Sequence, residues 1–138
     1  MFELDARLNN DTVFITDLPL CRVLLMNDSQ FPWVILVPRV AGATEFTDLD
    51  EKQMTQYTFE SLLCSEILSV LYKPDKMNIA ALGNIVKQLH IHHVVRFDCD
   101  VAWPAPVWGR QPAVPYEPAI LDEHVSRLKQ AFSTKEKI

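Results

Sequence analysis

The sequence predicts an α+β domain: an antiparallel sheet of about five strands, one long helix and a C-terminal helix. Three short runs rich in β-branched and aromatic residues, parted by turn formers, come before Arg39. A single long helical pattern follows, over about residues 47–72. Two more extended runs and a last helix complete the chain, with no spacing that suggests a βαβ repeat. At 138 residues, a single domain over 1–138 is expected.

Residues 3–9 form a short helix, with Leu4 and Leu8 four apart on one side, and Asn9, Asn10 and Asp11 break it. Residues 12–16, 21–26 and 32–38 are three strands of an antiparallel meander, with Asn27-Asp28-Ser29 as a turn. Thr47-Asp48-Leu49-Asp50 has the S/T-x-x-D/E form that opens a helix. Asp48, Asp50 and Glu51 are then helix-start carboxylates favoured by the dipole, not a catalytic pair. Met54, Leu62, Ile67, Leu68 and Leu71 give that helix its core stripe. Phe59, Leu63 and Val70 add more apolar surface than one buried face requires. Lys73-Pro74 closes the helix. Residues 77–82 are a fourth strand, Gly83-Asn84 a turn and residues 88–97 a fifth strand. Residues 98–118 hold five of the nine prolines and form an ordered, irregular excursion. The last helix covers about residues 117–132, and the tail 133–138 frays.

Composition excludes several functions. The formal net charge of −5 argues against broad binding to nucleic acid or to anionic membrane. The three glycines, Gly42, Gly83 and Gly109, are too far apart for a G-x-G-x-x-G fingerprint or a P-loop, so other groups must hold any phosphate. Cys21, Cys64 and Cys99 contain no C-x-x-C pair and give neither a disulfide framework nor a thiolate zinc site. No signal peptide and no membrane span is expected, and free thiols point to the cytoplasm.

Three of the four histidines fall in Gln88-Leu89-His90-Ile91-His92-His93-Val94-Val95-Arg96-Phe97. With the two-residue period of a strand, Gln88, His90, His92, Val94 and Arg96 share one face, and the apolar residues with His93 share the other. Two imidazoles about 6–7 Å apart along a strand can both reach one phosphate-sized group. They could be two zinc ligands lacking a third, polar residues on an exposed strand, or a nucleophile for phosphorus with an imidazolium partner.

Q-L-H-I-H-H-V-V-R resembles the histidine triad (HIT) signature H-φ-H-φ-H-φ-φ, where φ is hydrophobic, with Gln88 at the first position as in a bacterial branch of that superfamily. Residues 26–39 resemble the family's N-terminal hairpin, except that Phe31-Pro32-Trp33 stands where P-G-H is usual. The likeness covers a core of about residues 2–100; the Pro/Trp-rich segment and C-terminal helix of 101–132 follow it. It implies a HIT-like fold and a homodimer joined through residues 50–72 and 77–83. It also implies a nucleoside phosphate derivative as partner, with no nucleic acid, membrane, metal or cofactor required. The implied catalytic residues are His90 as nucleophile toward the α-phosphate, His92 as its assistant and Gln88 beside them. Asn27 is implied at the ribose and Asn84 at a phosphate oxygen. A Gln88→His change is expected to preserve or raise activity. A register shifted by two residues would make His92 the nucleophile instead. The rival from another class is a nucleotide-binding or sensor module with little turnover.

Of the remaining residues, Arg96 is read as an ion-pair partner, His93 as a structural histidine and His124 as a surface residue. Trp103 and Trp108 are read as packing residues.

Overall fold

The computed structural model describes residues 1–136. Helix α1 (Ala6–Asp11) leads into strands β1 (Thr12–Asp17), β2 (Cys21–Met26) and β3 (Trp33–Pro38). Helix α2 (Glu51–Tyr72), β4 (Lys76–Ala81), β5 (Ile91–Arg96) and α3 (Pro118–Glu136) follow. The five strands form one antiparallel sheet in the order β1-β2-β3-β5-β4. β5 thus sits between the meander and the edge strand β4.

Strand alternation sorts the apolar residues onto two faces. Val23, Leu25, Val34, Leu36, Ile91 and Val95 join α2 and α3 in the larger core, through Cys64, Ile67, Leu68, Leu128 and Phe132. On the opposite face, Leu24, Trp33, Ile35, Val37 and Val94 pack with Leu8 of α1 and with Ala102 and Val107 of the Pro-rich excursion. Both faces are therefore covered. A buried Glu60 on α2 accepts from the backbone N–H groups of Leu20 and Cys21 at 2.9 and 2.7 Å, which pins the β1–β2 turn to the helix.

Several boundaries differ from the sequence expectation, each for a local reason. α1 starts at Ala6 because the Asp5 carboxylate caps it, accepting from Arg7 and Leu8 N–H, and residues 9–11 complete its last turn. α2 is opened by a capping box between Asp50 and Gln53, not by Thr47, which lies in a 3-10 turn at Phe46–Asp48. Leu62 is 58% exposed and lies off the core stripe, whereas Leu63 packs against the core. α3 begins with Pro118, well suited to a first helical position, and runs on to Glu136, so residues 133–136 do not fray. Residues 137–138 lie outside the described residues. β5 spans only Ile91–Arg96; Gln88 and His90 precede it, because the pairing of β3 with β5 ends at Leu36 and Ile91.

Candidate active site

A cavity of about 580 Å³ opens on the face of the sheet away from α2. His90 and His92 form part of its wall, each 5% exposed. Their ring centroids are 4.9 Å apart at 71°. The expected alternation therefore holds for these two side chains, and His93 points to the helix side. There it is fully buried, donating from Nδ1 to the Ile91 carbonyl at 3.2 Å and accepting at Nε2 from Ser61 Oγ at 2.8 Å. Burial lowers its pKa to about 4.

Backbone and indole partners fix the tautomers of the other two rings. A carbonyl can only accept, so His90 Nδ1, 2.7 Å from the Gln88 oxygen, carries the proton and leaves the Nε2 lone pair free. The indole N–H of Trp33 can only donate. His92 Nδ1, 3.0 Å away, is its acceptor, and the proton of the neutral ring sits on Nε2. Burial, with His90 and His93 alongside, lowers the His92 pKa to about 3. Where the sequence reading had an imidazolium partner, the His92 ring in this setting is neutral and carries its proton on Nε2.

Gln88 and Arg96 share the histidine face in sequence but do not reach the cavity. The Gln88 amide accepts from Asp5 N–H and donates to the Glu3 carbonyl, both at 2.8 Å, and so clamps the N-terminal segment. Arg96 is 1% exposed and bonds Asp100, Asn78 Oδ1 and the Ala105 carbonyl, between the rings of Phe31 and Trp103. Asn27 and Asn84 both line the cavity. The Asn27 Oδ1 is engaged by Tyr116 N–H at 2.9 Å, which leaves its amide N–H₂ for a ligand. His124 is not a free surface residue, since its Nδ1 lies 2.8 Å from the Tyr72 hydroxyl.

Sequence reasoning missed the far wall. Arg7 and Leu8 of α1 and Val107, Trp108 and Pro115 of the excursion border the cavity. Trp103 packs as expected, on Arg96, but Trp108 faces the His92 ring at 5.2 Å, and its buried indole N–H has no partner among the described residues. The excursion is strapped to the β2–β3 turn by Ser29 N–H on the Val114 carbonyl at 2.7 Å and by Gln30 on the Pro112 carbonyl at 3.0 Å. Among the described residues, no group of three His, Cys, Asp or Glu side chains is placed to share a metal ion.

This sheet, with a His-x-His pair set at the mouth of β5 beneath an N-terminal hairpin, defines a histidine triad protein. The model of the HIT domain matches residues 7–99, and the chain belongs to that family. A histidine triad protein from Marinobacter aquaeolei VT8 is 48% identical with a TM-score of 0.94, over 97% of this chain and 98% of that one. One from Bradyrhizobium japonicum is 43% identical with a TM-score of 0.92, over 94% and 97%. The diadenosine triphosphate hydrolase of Plasmodium falciparum shares the fold, with a TM-score of 0.68 at 16% identity, over 99% of this chain and 83% of that one. No curated protein matches the chain. No helix among the described residues is long and apolar enough to cross a membrane.

Proposed function

We propose that the chain is a nucleotide hydrolase or nucleotidyl transferase that works through His90. The observation that carries this reading is the bond from His90 Nδ1 to the Gln88 carbonyl, which turns a free Nε2 lone pair toward the cavity. That nitrogen attacks the α-phosphorus of a nucleoside phosphate derivative. The P–N bond forms as the bond to the leaving group breaks. His92 Nε2–H donates to a phosphoryl oxygen as charge builds there. Water then opens the nucleotidyl-His90 intermediate and releases a nucleoside monophosphate. Leu8, Phe31, Ile35 and Val107 offer an apolar seat for the base, with Asn27 N–H₂ at the ribose and Asn84 at a phosphate oxygen.

A homodimer in the cytoplasm fits the surface and the thiols. β4 is an edge strand, and Phe59, Leu62 and Val70 of α2 are 64%, 58% and 66% exposed. Cys21 and Cys64 are buried free thiols whose pKa values burial raises, which suits a reducing compartment. The test of function is steady-state hydrolysis of dinucleotide and aminoacyl-type adenylate substrates, with mass detection of a His90 adduct. Tight nucleotide binding with no turnover above a His90→Ala control would replace the enzyme by a binding module.

A further inference from the structure

We propose that Trp33 determines specificity, a role that rests on the nucleotidyl-transfer reading above: by donating to Nδ1 of His92 it joins burial in holding that histidine as a neutral donor, and the site then favours substrates whose leaving group departs as an anion.

The bond is built into the sheet. Trp33 opens β3 and lies opposite Val94, so its side chain shares the face on which His92 stands. Trp33 is 7% and His92 5% exposed, so the bond is shielded from bulk water. A second proton on His92 would set N–H against N–H, because the indole nitrogen has no lone pair to offer. The groups facing the His92 ring are Trp33, Trp108 and His90, with His93 next along the strand. None is a carboxylate that would favour a charged ring. The charged residues of the cavity, Arg7, Asp11 and Asp28, make no hydrogen bond to it; Asp28 is spent on Gln30.

The consequence falls on the leaving group. As the P–Nε2 bond to His90 forms, the departing atom takes the electron pair of the bond to phosphorus. A phosphate oxygen holds that pair as an anion, its acid having a pKa of about 6, and a carboxylate holds it more easily still, at about 4. An alkylamine nitrogen must gain a proton as it leaves, because its stable form at neutral pH is an ammonium with a pKa of about 10.4. His92 could supply that proton only by becoming an imidazolate. Gln88, the residue before the nucleophile on the same face, has both ends of its amide engaged with Glu3 and Asp5. Phosphoanhydrides and acyl phosphates therefore react much faster than alkyl phosphoramidates.

The test compares kcat/KM of the full chain on diadenosine triphosphate and on an alkylamine phosphoramidate of adenosine 5′-monophosphate. The wild type is expected to prefer the anhydride by about 10²–10⁴-fold, the usual worth of a general acid. Trp33→Phe keeps an aromatic ring and the burial of His92 but removes the N–H that opposes a second proton on Nδ1, and is expected to narrow that preference. In case the variant folds poorly, ¹⁵N spectra of wild-type His92 give a second measurement: the proton is expected on Nε2 alone between about pH 5 and 8. A charged His92 ring in that window would overturn the proposal. So would equal rates on both probes through a His90 adduct, an outcome that leaves the nucleotidyl-transfer reading standing. No cleavage of either probe and no adduct would remove that reading, and the role of Trp33 with it.

Discussion

His90 donates from Nδ1 to the carbonyl of Gln88, two residues earlier in its own chain, at 2.7 Å. The ring is oriented by backbone, so its exposed nitrogen does not depend on any side chain for its lone pair. His90→Ala is therefore expected to abolish turnover and the covalent adduct while leaving nucleotide affinity within a few-fold. His92→Ala removes one donor to the phosphoryl oxygens and is expected to slow kcat by roughly 10²–10³. Single-turnover rates with mass analysis separate the two, and an adduct surviving His90→Ala would assign the attack to His92.

Gln88 holds down the N-terminus from both ends of its amide. Histidine at this position cannot span the Glu3 carbonyl and the Asp5 N–H with the same reach. The sequence-based expectation that Gln88→His preserves or raises activity gives way to an expected loss. Gln88→Glu sets a carboxylate oxygen against the Glu3 carbonyl. It is expected to cost about 1–3 kcal/mol, measured by urea unfolding.

Arg96 and Asp100 form an ion pair at 2.8 Å in which both side chains are almost wholly buried. Burial alone would raise the Asp100 carboxyl, but Arg96 and the N–H groups of Phe97 and Ala102 outweigh it and hold the carboxyl below its usual range. Arg96→Met leaves that charge buried and unpaired. The expected loss is about 3–5 kcal/mol, with increased protease cutting in residues 98–117, whose first turn the pair organises.

Acid stability follows from the buried neutral histidines. The pKa of His92 is about 3 and that of His93 about 4, against an unperturbed 6.5. Between those values and 6.5 the unfolded chain binds protons that the folded chain refuses, so stability rises with pH and levels off above about 6.5. Each histidine contributes a slope of up to about 1.4 kcal/mol per pH unit in that window. Urea midpoints at pH 7.5, 6 and 5 are expected to fall in that order, and less steeply in His93→Gln. Asp17 and Asp100, held below the usual carboxylate range, act in the same direction but only below about pH 5, under the three pH values compared.

The exposed apolar side chains of α2 predict assembly. Light scattering at micromolar concentration is expected to report two chains per particle. Leu62→Arg, in a side chain that touches no core, is expected to yield monomers with unchanged helicity.

The sheet, the long helix and the two site histidines were legible because each is written in a local period. Residues 33–38 are a continuous apolar run and 21–26 a run broken only by Arg22, and both are largely buried strands packed on both faces. His90 and His92 keep the two-residue alternation that placed them together, although His90 lies just outside β5. The fates of Gln88 and Arg96 were not legible. Their partners, Glu3 and Asp5 for one and Asn78 and Asp100 for the other, are set by tertiary contact and leave no periodic trace. Trp33 stood out only as a departure from P-G-H. That it would donate to His92 depended on the register of β3 against β5, which the sequence does not encode in short range.

The strap from Val114 and Tyr116 to the β2–β3 turn closes the cavity from outside the HIT domain match. The wall with His90 and His92 lies within the residues that match the HIT domain; the facing wall, with Val107, Trp108 and Pro115, lies beyond them. One cavity is thus shared between the residues of the HIT domain match and the segment that follows it. Substitutions in that segment can reshape the facing wall while the strands that carry His90 and His92 stay as they are.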